Sequence, residues 1–450
     1  MYKYYRNKTL KPSQFIIIGF LILIFIGTIL LALPISSSTG KSIGIINALF
    51  TSTSAVCVTG LVVMNTGSDF SLIGQLIIML LIQIGGLGFM TYGAFIALLL
   101  GEKIGERKRK LLKISTKALP SQSLKKLIVS IFILTILLES LATIILTIRW
   151  NNDMGFWNAF YHALFHSISA YNNAGFVLWS NSLSNYVGDP VVNVIISSLF
   201  IITGLGFTVL LDIYNNRRWT ALTLHSKLVI LMSSTLIIVG FIVILAIESI
   251  NVLTLEGLPT DDRLWAAFFQ SATTRTAGFN TINIGDMMIP SLLLIIFFMF
   301  IGASTGGTGG GTKTNTFFII IIYLWSRIKR KKNIEVFEKN ISIKIINRAI
   351  TVIVLSFGVI LAVTMLLTVT EHSSNTNFFA ILFEATSAFG TVGLSMGLTP
   401  DLSAWGKIII TITMFIGRLG PLTLAYALSQ KGGSKTKEYK SNEEDMVLIG

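Results

Sequence analysis

Four segments of this chain repeat one pattern, and no other feature restricts its fold so strongly. They read ALFTSTSAVCVTG (48–60), ALFHSISAYNNAG (163–175), AAFFQSATTRTAG (266–278) and ILFEATSAFGTVG (381–393). In each, a Phe stands ten residues before a terminal Gly: Phe50/Gly60, Phe165/Gly175, Phe268/Gly278 and Phe383/Gly393. The four glycines are spaced 115, 103 and 115 residues apart. Self-similarity at so long a period describes an architecture, so it is read before any local motif. Each segment lies between two long apolar stretches.

Those stretches set the class. The chain is 52% apolar and 12% charged, about half the charge of a soluble domain. Apolar runs near the roughly 20 residues that span a bilayer occur at 14–34, 71–99, 126–148, 190–212, 228–248, 288–325 (interrupted), 349–369 and 406–428. The expectation is an all-α integral membrane protein with eight spans. It has four pseudo-repeated units of span, re-entrant loop and span around one central pore. The repeats cover 14–100, 126–213, 228–325 and 349–428. Segment 1–13 precedes them, 101–125, 214–227 and 326–348 connect them, and the tail 429–450 follows. The first stretch is too long for a cleaved signal. One cysteine, Cys57, excludes an intrachain disulfide.

Net charge is +14, and its placement carries topology. Lys and Arg cluster before the first span, in the three connections and after the last span. The positive-inside rule then places both termini and those connections in the cytoplasm, next to anionic membrane lipid. No compact basic domain accompanies them, so no nucleic-acid partner is expected. The opposite connections hold Asp69, Asp153, Asp189, Asp261, Asp262, Asp286, Glu371 and Asp401. Carboxylates at a pore mouth would raise local cation concentration.

About a dozen residues of helix, near 18 Å, cannot cross some 30 Å of hydrocarbon. Each repeated segment must therefore enter and return, which is tolerated only inside protein or along a wet cavity. A half-helix aims the negative end of its dipole inward. The loop after it offers carbonyls that can replace an ion's water shell. The candidate filter is Val58, Thr59 and Gly60; Asn173, Ala174 and Gly175; Thr276, Ala277 and Gly278; Thr391, Val392 and Gly393. Potassium is placed at the carbonyls of Gly60, Gly175, Gly278 and Gly393.

The second spans contain IGGLGF (84–89), ITGLGF (202–207) and IGRLGP (416–421), but the third reads IGASTGGTGGGTKTNT (301–316). Five glycines at about 1 kcal/mol each against Ala preclude a helix there. An intramembrane loop at 303–315 is predicted, with few packed contacts and positions close in energy. Gly302, Ala303, Ser304, Thr305, Gly306, Gly307, Thr308, Gly309, Gly310, Gly311, Thr312 and Lys313 form the candidate gate, with Arg418. A phosphate-binding loop is not expected, because Thr312 separates Gly311 from Lys313 and no strand precedes it.

Over essentially all 450 residues the chain resembles the KtrB-type membrane subunits of Ktr potassium-uptake systems, in the superfamily with TrkH and plant HKT transporters. The four Gly-ended loops, the broken third inner helix and IGRLGP carry that resemblance. It implies potassium translocation in a bacterial cell membrane, sodium-dependent symport in the family at large, and homodimerisation. It also implies gating by a cytosolic ring of RCK domains, KtrA-type, binding ATP or ADP. No cofactor is implied in this chain. The family's filter glycines map onto Gly60, Gly175, Gly278 and Gly393. All four being Gly favours potassium over sodium. The family places Arg418 at the narrow point below the filter, beside the third-repeat loop.

Other intramembrane charges are functional candidates by default. Arg275 would repel potassium on the axis, so a position behind the filter is expected, with Glu384 as the candidate acid. Glu139 has no evident partner. His162 and His166 lack the further ligands that zinc needs, so packing is expected. The second reading is an alternating-access carrier with its substrate site at the broken helix; four parallel repeats argue against it. No convergent catalytic constellation is present, so an enzyme is not expected.

Overall fold

The computed structural model describes residues 12–88, 91, 124–330, 335–336, 339–372 and 377–421. A long apolar helix opens each repeat: α1 (Pro12–Ala32), α4 (Leu124–Met154), α8 (Leu224–Glu248) and α12 (Ile343–Thr370). These four have the length and composition to cross a membrane. They leave large apolar side chains such as Phe25, Ile148 and Val369 exposed. Lipid is the solvent that suits such faces.

A short helix follows each: α2 (Ile45–Cys57), α5 (Phe156–Tyr171), α9 (Thr260–Thr273) and α13 (Phe378–Gly390). The 13 residues of α2 and of α13 reach about 20 Å, less than a bilayer core. The chain then turns back into α3 (Leu72–Leu87), α6 (Pro190–Leu205), α10 (Ile289–Phe300) and α14 (Ala404–Leu419). Side-chain caps start three of these. Ser71 accepts from Gly74 N, Asp189 from Val191 N and Val192 N, and Ser403 from Gly406 N. Such caps satisfy amides that the first helical turn leaves free.

None of the second helices is a straight span. α3, α6 and α14 each end at a glycine with positive φ: Gly88 at 82°, Gly206 at 99° and Gly420 at 83°. A glycine there leaves the right-handed helix at no steric cost. After Gly206 the chain resumes as α7 (Phe207–Asn215), turned by 90°. A single straight span at 190–212 is thereby corrected to a broken one. In the third repeat the break is longer. α10 ends at Phe300 and α11 starts at Thr314 and runs to Ile328. The non-helical stretch lies two residues earlier than the predicted 303–315, because Thr314 and Asn315 belong to α11. A pair of two-residue antiparallel strands, β1 (Glu335–Val336) and β2 (Lys339–Asn340), departs from the all-α expectation in the third connection.

Packing closes the repeats in a circle. Each long helix packs on the short helix that follows it: α1 on α2, α4 on α5, α8 on α9 and α12 on α13. Each second helix packs on the short helix of the next repeat: α3 on α5, α6 on α9, α10 on α13 and α14 on α2. The last contact joins the fourth repeat to the first. Buried apolar clusters fill the junctions. Phe50, Val56, Ile381 and Met414 share one, Tyr171, Phe200, Phe269 and Phe279 a second, and Met299, Phe383 and Val392 a third.

Two acids expected at the mouth have structural partners instead. Asp189 caps α6 and takes Arg149 Nε at 2.5 Å. Glu371 is buried and accepts from Ser403 N at 3.0 Å and Ser403 Oγ at 2.7 Å. The basic N-terminal segment, most of the first connection and the C-terminal tail lie outside the described residues. Asp189→Ala removes the cap, worth about 1 kcal/mol, and a half-exposed ion pair worth less. Thermal unfolding in detergent, followed by tryptophan fluorescence, should show a lower midpoint for Asp189→Ala than for Asp189→Asn, which keeps the cap.

Candidate ion pathway

Each short helix runs into a loop of alternating handedness. Val58, Asn173, Thr276 and Thr391 have φ of 56°, 58°, 73° and 49°. Two residues on, Gly60, Gly175, Gly278 and Gly393 have φ of 91°, 69°, 79° and 91°. An ordinary residue separates each pair. Positive φ is costly for β-branched residues, yet Val58, Thr276 and Thr391 all adopt it. Strain of this kind persists only where the surroundings over-determine it, commonly at functional sites. Alternating the sign of φ turns successive carbonyls toward the same side, as a row of ion ligands requires.

Buried hydroxyls hold these loops. Ser54 Oγ donates to Leu61 O at 2.7 Å and accepts from Gly60 N at 3.1 Å. Ser169 Oγ donates to Phe176 O at 2.7 Å, and Ser387 Oγ accepts from Gly393 N at 3.1 Å. All three stand six residues before the glycine. In the third repeat that position is Ala272, and Thr273 Oγ1 makes the bond instead, to Phe279 O at 2.7 Å. The backbone shows the same offset. Thr59, Ala174 and Val392 donate to carbonyls five residues back, whereas Ala277 donates to Thr273, four back. The third loop is therefore one residue tighter. Phe269, not Phe268, is the fully buried counterpart of Phe50, Phe165 and Phe383. The alignment that pairs Phe268 with the others is corrected by one residue inside the helix.

The four glycines meet in a closed ring. A Cβ on Gly60 would lie 3.1 Å from Gly175 Cα, and one on Gly175 would lie 2.9 Å from Gly278 Cα. One on Gly278 would lie 3.4 Å from Gly393 Cα, and one on Gly393 would lie 3.0 Å from Gly60 Cα. The first obstacle at each position is the carbonyl oxygen of Ala174, Ala277, Val392 or Thr59. The ring has no room for a side chain, and its carbonyls face their neighbours around it.

The Gly-rich segment of the third repeat lies against this ring. Thr308 Oγ1 accepts from Asn173 Nδ2 at 2.8 Å, and Gly310 N donates to Thr391 Oγ1 at 2.9 Å. A Cβ on Gly309 would meet Thr276 Cβ at 2.8 Å. The segment thus touches the left-handed residue of three loops out of four. It is also well tethered. Ser304 N donates to Gly204 O at 3.1 Å, Phe207 N to Gly306 O at 3.1 Å and Gly311 N to Gly417 O at 3.3 Å. Lys313 Nζ donates to Gly309 O at 2.7 Å and Gly310 O at 3.2 Å. Ser304 and Thr314 hydroxyls are 2.9 Å apart. The expectation of few contacts is corrected: small side chains let backbone reach backbone, so the loop gains partners where bulk would have kept them apart. Arg418 ties it to the first repeat. Its Nη1 donates to Thr308 O and its Nη2 to Gly85 O at 2.6 Å and Gly86 O at 3.3 Å.

Arg275 and Glu384 do not pair. Glu384 is buried and accepts from Ser395 Oγ at 2.8 Å and from Thr399 Oγ1. Arg275 is 8% exposed, and among the described residues its Nε and Nη2 have no hydrogen-bond partner. Arg275 lies two residues past the end of α9 at Thr273, whereas Cys57 and Gly390, its counterparts by letter, are the last residues of α2 and α13. His166 stacks on Trp179 with ring centroids 4.4 Å apart, and its Nε2 accepts from Leu178 N at 3.3 Å. Packing is its role. Among the described residues no group of three or more His, Cys, Asp or Glu could hold a metal ion. Sequence reasoning passed over the three serines, although they occupy one column of the repeat.

Ser54→Ala and Thr273→Ala should each destabilise the protein by about 1–2 kcal/mol, because a buried carbonyl loses its donor. Ala272→Ser should not rescue Thr273→Ala. Thermal inactivation of ion flux in proteoliposomes checks both; rescue would contradict the one-residue offset.

The family model described as TrkH, cation transport protein, matches residues 3–436. The Ktr system potassium uptake protein B of Bacillus subtilis is 43% identical over 93% of this chain and 93% of its own length. The potassium/sodium uptake protein NtpJ of Enterococcus hirae is 38% identical over 98% of each chain. The crystal structure of the potassium transporter TrkH from Vibrio parahaemolyticus superposes with a TM-score of 0.70, covering 95% of this chain and 87% of that one. At 19% identity that likeness speaks for the fold. Its relatives are transporters, not enzymes, and the chain belongs to the TrkH family of cation transport proteins.

Proposed function

We propose that this chain is the potassium-translocating membrane subunit of a Ktr-type uptake system. Its four repeats supply eight spans around a single pore, with both termini in the cytoplasm. The observation that carries the reading is the closed ring of Gly60, Gly175, Gly278 and Gly393, in which the carbonyls of Thr59, Ala174, Ala277 and Val392 each lie against a neighbouring glycine. Carbonyl dipoles in a ring replace the hydration shell of a monovalent cation. Dehydrating potassium costs less than dehydrating sodium, and an all-glycine ring leaves the carbonyls free to follow the larger ion.

Below the ring, residues 302–313 block the route and Arg418 latches them. A cytosolic RCK-domain ring that binds nucleotide would open the route by drawing this segment aside. Two copies of the chain would sit on that ring as a homodimer. Sodium-linked symport fits the same pore if sodium acts on the latch or the filter. A carrier reading has less support, because the four loops converge on one ring and leave no alternating pair of half-sites. Rescue of potassium-uptake-deficient cells at low potassium, with and without the regulatory ring, tests the function. No rescue in either case would refute it.

Serine at position 60 would carry a side chain at φ 91° against the Ala174 carbonyl. Gly60→Ser should therefore lower potassium-over-sodium discrimination by about tenfold, 1.4 kcal/mol, read as sodium competition against rubidium uptake. Arg418→Ala removes charge-assisted bonds worth about 1.5–3 kcal/mol each. Flux through liposomes holding this subunit alone should rise at least tenfold and lose its dependence on the ring, and deletion of 304–311 should do the same. Flux at or below that of the intact chain, in a folded dimer, would remove the loop as a barrier.

A further inference from the structure

Glu139 is the midpoint of α4, fifteen residues from either end. A carboxyl group at that depth is costly and is retained for a reason. Among the described residues no ion pair reaches it. Its Oε2 accepts Gln83 Nε2 at 3.2 Å, across the boundary between the first and second repeats. Its Oε1 is buried without a hydrogen-bond partner. The chain of contacts continues: Gln83 Oε1 accepts Asn172 Nδ2 at 2.5 Å, and the same Nδ2 donates to Ile168 O of α5 at 2.9 Å. Asn172 immediately precedes Asn173, the left-handed residue of the second loop.

The order of these groups has a direction. A backbone carbonyl only accepts, so the bond to Ile168 O fixes Asn172 with its NH2 on that side, and Gln83 meets that NH2 with its oxygen. Gln83 then turns its NH2 toward Glu139. With its NH2 toward Gln83, Asn172 lays its own Oδ1 over Gly86, where any Cβ would strike it. The Gly85 and Gly86 carbonyls seat the Arg418 guanidinium. Acceptors at the two ends, Ile168 O on α5 and Glu139 on α4, therefore hold two carboxamides in one orientation. Their far end supports the second filter loop and adds a partial negative charge to the turn that holds the latch. The corresponding residues of the other loops, Cys57, Arg275 and Gly390, carry no carboxamide, so the arrangement belongs to this repeat alone.

We propose that Glu139 is a positioning residue for ion selection: it anchors Gln83, which holds the Asn172 carboxamide in place behind the second filter loop. What it supplies is a hydrogen-bond acceptor and not a charge. This rests on the filter reading given above.

The test is sodium competition against rubidium uptake in proteoliposomes of the full chain. The variants are Glu139→Gln, Glu139→Leu, Gln83→Met and, as reference, Gly175→Ser. Glu139→Leu and Gln83→Met should each lower discrimination about tenfold, as expected for one lost buried hydrogen bond with an orphaned partner. The double variant should be no worse than either alone, and Glu139→Gln should stay within about twofold of the parent. A structural defect alone would lower uptake of both ions and leave their ratio intact. Gln83→Met is neutral and of similar volume, so it carries the test if Glu139→Leu does not fold. Unchanged discrimination in Gln83→Met, or a loss in Glu139→Gln equal to that in Glu139→Leu, overturns the proposal. If Gly175→Ser shifts discrimination and Gln83→Met does not, the inference fails and the filter reading stands. If neither shifts it, both fail.

Discussion

Backbone that leaves a helix inside an apolar phase must find partners for every N–H and C=O it frees, because no water is there to take them. Among the described residues this chain leaves a helix after each short helix and again at Gly88, Gly206, Phe300 and Gly420. Everything else about the fold answers that requirement. Ser54, Ser169, Thr273 and Ser387 bond the loop backbone behind the ring. Asn173, Thr391, Lys313 and Arg418 bond the Gly-rich segment below it. Partners for the freed amides come from behind and below, which leaves ring carbonyls that need no protein donor.

The repeats are alike where the ring demands it and different where it does not. All four supply a glycine at the ring and a left-handed residue two before it. Behind the ring each repeat contributes a different residue at the position preceding that one: a thiol, a carboxamide, a guanidinium and a glycine. The second helices differ likewise, with Gly86, Gly204 and Arg418 at equivalent places of IGGLGF, ITGLGF and IGRLGP. A single chain can vary these sites one at a time, which four identical subunits could not do. The third repeat exploits that freedom most. It combines a tighter loop, a broken second helix and a buried arginine without an acid.

Much of this was legible in the sequence. The four loops, the glycines and the broken third segment all follow from periodicity and from glycine's poor fit in a helix. The helix ends at Gly88 and Gly420 and the bend at Gly206 were not read, because the flanking apolar runs are long enough to pass for spans. Hydropathy measures length along the chain and is blind to direction. The offset at Phe268 was hidden because FF and TT doublets make the third segment align equally well in two registers; only the hydrogen bond from Thr273 separates them. The expected Arg275–Glu384 pair failed for a related reason. Complementary charge in neighbouring repeats says nothing about nearer hydroxyls, and Ser395 and Thr399 reach Glu384 first. Mobility of the Gly-rich segment was overestimated, since scarcity of side chains was equated with scarcity of contacts.

The central claim is that one ring built from four unlike loops binds a dehydrated monovalent cation. Anomalous scattering from crystals of the protein grown in rubidium tests it directly. The account predicts a rubidium peak on the axis of the ring, bounded by the carbonyls of Thr59, Ala174, Ala277 and Val392. It also predicts that the peak persists when an equal concentration of sodium is added. A ring without a peak, or a peak that an equal concentration of sodium abolishes, would contradict it.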